Sequence, residues 1–195
     1  HRWVRHIGIQ GIIGTRTPKK EQLLQALRRE MPSLDLKIWG NGWTTTGQLA
    51  GATMGQPVNG AEYAKAVQAS RISLAVLSEA KSDPSIQDQT TARTFEIPAI
   101  GGFMLHERTA EAQTFFTDGS ECAMYSDVPE LVRHVAHYLA HPEERDAVAR
   151  AGHARCLQSH YAIDDRANTI IAHYRSARGC TDRGREVELS IRKAG

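Results

Sequence analysis

The sequence has few of the features that define several protein classes. Its three cysteines, Cys122, Cys156 and Cys180, are odd in number and have no CxxC spacing, so we expect a reduced, cytoplasmic protein. No apolar run approaches the roughly 18 residues of a membrane span, and the first residues lack the layout of a signal peptide. With 24 Lys and Arg against 22 Asp and Glu, the net charge of +2 argues against nucleic acid as a partner.

Three common active-site motifs are also absent. The sequence contains no GxxxxGK[ST] motif, which excludes a P-loop NTPase, and no GxSxG motif, which excludes a nucleophile elbow. Gly8, Gly11 and Gly14 are spaced GxxGxxG instead of GxGxxG. Asp35 precedes the second predicted strand instead of ending it, so a dinucleotide-binding site is not indicated.

What the sequence does contain is a regular alternation of short apolar runs and amphipathic stretches. Hydrophobic residues make up 41% and charged residues 24%, as in ordinary folded proteins. The alternation is typical of a parallel α/β sheet, and Thr17 followed by Pro18 predicts the start of the first helix. We predict a Rossmann-like parallel sheet flanked by helices over residues 1–175, with a helical C-terminus and a flexible tail over 176–195.

Three loops follow predicted strands and are therefore expected at the carboxyl edge of the sheet, where such folds bind ligands. The third runs into a helix that Thr90 or Thr91 caps. In order, their notable residues are Gly14, Thr15 and Arg16; Gly40, Asn41 and Gly42; and the segment from Asp88 to Glu96.

The residue types in these loops suit a nucleotide. Glycines let the backbone approach a phosphate, and free N–H groups at a helix N-terminus attract an anion. Arg16 and Arg93 add charge-assisted hydrogen bonds to phosphate oxygens. A carboxylate such as Glu96 accepts from both hydroxyls of a vicinal diol, as in ribose.

The segment TTARTFEIPAIGGFML, residues 90–105, resembles the signature of the CgeB-like (spore maturation protein) branch of group 1 glycosyltransferases. Further matching segments occur in the same order over residues 7–160, namely GTRTP, IWGNGW, EYAK, SLAVLS, YLAHPEER and ARAG. The resemblance implies a GT-B fold, in which two Rossmann-like domains face each other across a cleft. This chain resembles the C-terminal, donor-binding domain, so we expect an N-terminal acceptor domain in cis or in trans.

The resemblance also implies roles for individual residues. Asp88 and Glu96 keep the seven-residue separation of two family acids, although many relatives have glutamate at the first position. Glu96 would bind the ribose, and Asp88 would contact the transferred sugar. The diphosphate would be bound by residues 89–93, including Thr90, Thr91 and Arg93, with Thr15 and Arg16 at the phosphate end; residues 58–60 would hold the base.

The activity implied is transfer of a sugar from a UDP-, GDP- or dTDP-sugar to an acceptor, with no metal or further cofactor. Two alternatives stay open: a non-catalytic nucleotide-sugar-binding module, and a Rossmann-like interaction domain.

Histidines 134, 137 and 141 share a helix face at metal-ligand spacing, but we expect a solvated face there. At the end of a strand, His106 and Glu107 border the cleft, where a sugar contact is possible. We interpret Trp39 as a core residue and Trp43 as a loop anchor.

Overall fold

A computed structural model describes residues 8–43, 47–78 and 88–177. The chain divides into two compact units, His1–Gln158 and Ser159–Gly195. Of the predicted tail, residues 178–195 lie outside the described residues, as does Cys180.

The first unit is built on a five-stranded parallel sheet with the order β2-β1-β3-β4-β5. The chain leaves β1 for β2 on one side and then crosses back to β3 on the other. The strand order therefore reverses between β1 and β3, which opens a crevice outside their carboxyl ends. The strands are β1 (Gly8–Ile13), β2 (Leu36–Trp39), β3 (Ser70–Ala75), β4 (Met104–Glu107) and β5 (Ala123–Tyr125).

Helices connect the strands and cover both faces of the sheet. Because α1, α2 and α3 each follow a parallel strand, all three begin at the carboxyl edge. The second unit contributes α7, which buries no side chain. The helices are α1 (Pro18–Glu30), α2 (Gly60–Gln68), α3 (Ala92–Ala99), α4 (Ala112–Phe115), α5 (Val128–Ala140), α6 (Pro142–Gln158) and α7 (Ile163–Ala177), with a 3-10 turn at Gly47–Leu49.

The core confirms the predicted α/β class. On one face of the sheet, α1 buries Leu24 and Leu27, and α5 buries Leu131 and Val135. On the other face, Ile13, Trp39 and Ala66 form a smaller cluster, with Met54, Val58 and Tyr63 packed against it. Among the described residues, no helix is long and apolar enough to cross a membrane.

Helix starts follow the capping residues of the sequence. Thr17 caps α1 by accepting from the Lys20 N–H at 3.4 Å, and Pro18 is the first helical residue, as predicted. Asp127 caps α5 by accepting from the Glu130 N–H at 2.8 Å. Of the two threonines that could cap α3, Thr91 occupies the capping position.

Candidate functional site

The loops that follow β1 and β2 are hydrogen-bonded to each other at the carboxyl edge. The Gly14 N–H donates to the Trp39 carbonyl at 2.9 Å, and the Arg16 N–H donates to the Asn41 carbonyl at 3.0 Å. The Trp43 indole N–H donates to the Gly14 carbonyl at 2.8 Å, so this tryptophan anchors the loops, as expected. We call residues 14–16 and 40–42 the glycine loops; the structure brings these two predicted loops together.

Close backbone approach requires glycine in both loops. Gly14 has φ +155° and Gly40 has φ +138°, a region that other residues rarely adopt. A Cβ atom on Gly40 would lie 2.1 Å from the Gly14 carbonyl oxygen, which no real contact tolerates. A Cβ atom on Gly14 would lie 3.1 Å from Nη2 of Arg93, so the Arg93 guanidinium rests directly against the first glycine loop.

The start of α3 supplies the third predicted loop. The Thr91 N–H donates to the Thr94 hydroxyl oxygen at 2.9 Å, which fixes the first turn of the helix. The loop before it is held by Thr109, whose hydroxyl donates to the Gln89 carbonyl at 2.7 Å. Thr90 and Thr91 are half-buried, whereas the Asp88 side chain is exposed. The first turn of α3 and its Arg93 thus face the glycine loops.

Arg93 and Glu96 of α3 meet Tyr63 of α2 at this edge. Burial raises the pKa of Tyr63; the Glu96 carboxylate raises it further, and Arg93 opposes that effect. Within the described residues, the buried Nε of Arg93 and the buried Tyr63 hydroxyl lack a hydrogen bond of good geometry, although the Glu96 carboxylate is close to that hydroxyl. Because buried polar atoms are normally paired, two such atoms side by side mark a place where a polar ligand can bind.

Sequence reasoning missed Tyr63, which belongs to a segment that carried only the resemblance. The Glu96 side chain is exposed, so it is accessible from the same crevice. A pocket of about 420 Å³ lies beside this cluster, between the end of β2 and the start of α2. Its lining includes Trp39, Gln56 and Val58, so one of the predicted base-binding residues lies in it.

Arg16 forms an ion pair with Glu21, a residue of α1. Its Nε and Nη2 donate to one carboxylate oxygen of Glu21 at 2.9 and 2.5 Å. The hydrogen bonds and the charge of Glu21 raise the pKa of Arg16. This pair holds the guanidinium over the first turn of α1, beside the first glycine loop.

His106 lies inside the protein, so it does not border the cleft as expected. It is fully buried, with Nε2 at 2.8 Å from the Thr94 hydroxyl oxygen and Nδ1 at 2.5 Å from the Glu107 carbonyl oxygen. Burial lowers the pKa of His106, so it is neutral, donating from Nδ1 and accepting from Thr94 at Nε2. The expected sugar contact at this position is therefore wrong for His106, which instead ties α3 to β4.

The three histidines of α5 and its C-cap make local contacts. His137 Nε2 lies 2.8 Å from a Glu144 carboxylate oxygen, and His134 Nε2 lies 3.8 Å from Glu130. His141 Nδ1 lies 2.8 Å from the His137 carbonyl oxygen. In the part of the chain that the structure describes, no three metal-ligating side chains come together.

Comparison with known proteins identifies the family to which this chain belongs. A family model described as glycosyl transferase-like matches residues 16–172, and the chain therefore belongs to this family. The glycosyltransferase part of the resemblance is thus confirmed, and its CgeB-like branch stays a prediction. Among curated protein sequences, none matches this chain.

Solved structures agree on the fold. Sucrose-phosphate synthase from Thermosynechococcus elongatus is 15% identical with a TM-score of 0.63, covering 82% of this chain and 42% of that chain. A glycosyltransferase from Rickettsia africae is 9% identical with a TM-score of 0.65, covering 88% and 48%. A protein described as a UDP-N-acetylglucosamine 2-epimerase from Listeria monocytogenes is 16% identical with a TM-score of 0.60, covering 93% and 47%. This chain therefore spans less than half the length of these relatives.

Proposed function

We propose that this chain binds a nucleoside diphosphate sugar at the carboxyl edge of its sheet and serves as the donor-binding half of a glycosyltransferase. One observation carries the proposal. The unpartnered buried atoms of Tyr63 and Arg93 meet Gly14 and Glu96 at the point where the strand order reverses. Ligands of open α/β sheets bind at this point.

Each part of the donor has complementary groups. The diphosphate accepts from the N–H groups at the start of α3 and from Arg93, and the glycine loops lie beside it. Glu96 accepts from the two ribose hydroxyls, and the pocket beside Trp39 and Val58 takes the base. Asp88, exposed before α3, contacts the transferred sugar.

Transfer breaks the bond between the anomeric carbon and a phosphate oxygen, so negative charge develops on the leaving diphosphate. Donors that are already oriented toward that charge stabilise it more than they stabilise the neutral bond being broken. Arg93 and the first N–H groups of α3 are held in place by the Thr91–Thr94 hydrogen bond and by the contact with Gly14. These residues suit a reaction without a metal ion, in which a second domain supplies the acceptor.

The proposal is tested by a thermal-shift panel of UDP, GDP, dTDP and ADP, with the matching sugars, NAD as a control, and EDTA in parallel samples. Ligand at 100 times its Kd stabilises a protein by about 2.7 kcal/mol, so binding gives a clear shift. We expect one nucleoside diphosphate to raise the midpoint, equally with EDTA, and NAD to leave it unchanged. A flat panel would contradict the donor site and favour the Rossmann-like interaction domain.

Binding and transfer are separated by a second assay. The chain is combined with an acceptor domain, and release of the nucleoside diphosphate is followed. Donor binding without release in any such combination would identify a non-catalytic binding module.

We also propose a cytoplasmic location. Cys122 and Cys156 are buried and form no disulfide, as is usual in a reducing compartment.

A further inference from the structure

A second pocket of about 420 Å³ lies at the carboxyl edge, on the opposite face of the sheet from Tyr63 and Arg93. It is an open pocket between the first turns of α1 and the segment where β5 leads into α5. Its volume falls within the range of about 300–1,000 Å³ that is usual for small-molecule sites. None of the residues assigned to the donor lines it.

Tyr125, on the inner wall of this pocket, has an unsatisfied hydroxyl. The side chain is 2% exposed, and within the described residues its hydroxyl has no hydrogen-bond partner. Burial raises the pKa of Tyr125, and the nearby Glu107 carboxylate raises it further. Glu107 and Tyr125 are paired in register on the neighbouring parallel strands β4 and β5, so their side chains project side by side on one face of the sheet, and no hydrogen bond joins them. A single ligand hydroxyl can bridge them, accepting from Tyr125 and donating to Glu107.

The charges around the pocket select against ionic ligands. Glu107 accepts from Lys19 Nζ at 2.7 and 2.9 Å and from the Leu77 N–H at 3.3 Å, so its charge is compensated. An anion would meet the carboxylates of Glu107 and Asp127, and a cation would have to displace Lys19 to reach Glu107. A neutral ligand avoids both costs.

The remaining lining suits a ligand that is polar on one side and apolar on the other. The Gln22 amide and the Ser126 hydroxyl each donate and accept. Leu23, Ala26 and Val128 form an apolar wall beside them. A sugar ring or cyclic polyol has this character, because its hydroxyls lie around the edge and its C–H groups cover a face.

We propose that this pocket binds a neutral polyhydroxylated ligand, a sugar or a polyol, with one hydroxyl held between Tyr125 and Glu107. The binding does not rest on the donor site, because no residue is shared. If the chain is also a donor-binding half, the pocket holds a sugar at the edge where transfer takes place.

The test is a ¹H–¹⁵N NMR titration with methyl α-D-glucopyranoside and myo-inositol, and with sodium phosphate and spermidine as ionic probes. We expect the neutral compounds to shift amides of Leu77, Glu107 and residues 125–128. Which of the two shifts them more distinguishes a sugar from a polyol. No shift there with either compound, or a larger shift with an ionic probe, would overturn the proposal. UDP titrated into the same sample reports the donor site separately, through the amides of residues 91–94.

Two phenylalanine variants make the test specific. Tyr125→Phe removes only the unpaired hydroxyl, so we expect the thermal midpoint to hold while affinity for the neutral ligand falls about three- to tenfold. Tyr63→Phe removes the corresponding hydroxyl at the donor site and should leave that affinity unchanged. Equal affinities for Tyr125→Phe and the unmodified chain would refute the bridging role. If Tyr125→Phe does not fold, Glu107→Ala removes the other partner, and an unchanged affinity there counts equally against the proposal.

Discussion

At the scale of single residues, Arg93 and Glu96 have different proposed roles in binding the donor. They stand three residues apart on α3 and therefore share one side of the helix. Arg93 is packed against Gly14 with Nε buried, whereas Glu96 is exposed. A buried cation beside a backbone turn suits a phosphate, and an accessible carboxylate suits the ribose that projects from it.

Replacing Glu96 tests this division. Glu96→Gln removes the charge that strengthens the bonds to the ribose hydroxyls, so nucleotide binding should weaken by about 1.5–3 kcal/mol, roughly ten- to a hundredfold. The fold should persist, because the side chain is exposed. Titration calorimetry with the nucleoside diphosphate measures the change. Glu111→Gln, at another exposed carboxylate, is the matched control. Unchanged affinity in a folded Glu96→Gln chain would exclude the ribose contact.

At the scale of elements, the site depends on how two loops and one helix are joined. The glycine loops touch through their backbones, since the Gly40 Cα faces the Gly14 carbonyl without room for a Cβ atom. Helix α3 is joined to β4 through Thr94 and His106. A substitution at either of these two contacts should therefore shift the position of Arg93, although Arg93 itself is unchanged.

The Gly40→Ala variant tests the backbone contact between the two glycine loops. The new methyl group meets the Gly14 carbonyl and the backbone is strained at φ +138°, so the free energy of unfolding should fall by about 2–5 kcal/mol. Gly51→Ala is the control, because its φ of +78° also disfavours a side chain but its Cβ position is open. That variant should lose about 1–3 kcal/mol. Urea unfolding of both chains gives the comparison, and equal losses would disprove the close contact.

The contact between Thr94 and His106, which joins α3 to β4, should make the stability of the protein depend on pH. The pKa of His106 is lowered from 6.5 by burial, so below about pH 6.5 the unfolded chain binds a proton that the folded chain does not. Stability should fall as the pH drops from 7 to 5, by at most about 1.4 kcal/mol per pH unit from this residue. His106→Gln should show a shallower fall in urea midpoints. A slope identical to that of the unmodified chain would mean that His106 is not buried in the neutral form.

At the scale of the whole molecule, the residues proposed to bind the donor come from segments far apart in sequence that share one edge of the sheet. Bound nucleotide should therefore slow amide exchange in residues 14–16, 40–42 and 90–94 together. Residues 68–71 and 101–103, which line a pocket at the amino edge, should be unaffected. Mass spectrometry of peptides with and without the nucleoside diphosphate measures this pattern. Protection limited to one of the three segments would contradict a shared site.

The sequence by itself determined the class of fold and the order of its elements, because apolar periodicity and capping residues act locally. Thr17 with Pro18, and the strand near residues 72–77, are examples of such signals. The sequence also showed the resemblance to glycosyltransferases, through the segment of residues 90–105, which forms α3 and the beginning of β4. The family match over residues 16–172 confirms that level of prediction.

Only the tertiary structure decided which of these residues meet. The pairing of Arg16 with Glu21, the burial of His106 and the position of Tyr63 beside Glu96 depend on side-chain directions that no spacing encodes. The pocket of Tyr125 arises because α1 and α5, a hundred positions apart, pack on the same face of the sheet. Local patterns fix elements, but a site forms where distant elements bring polar groups to one edge and leave some of them unpaired.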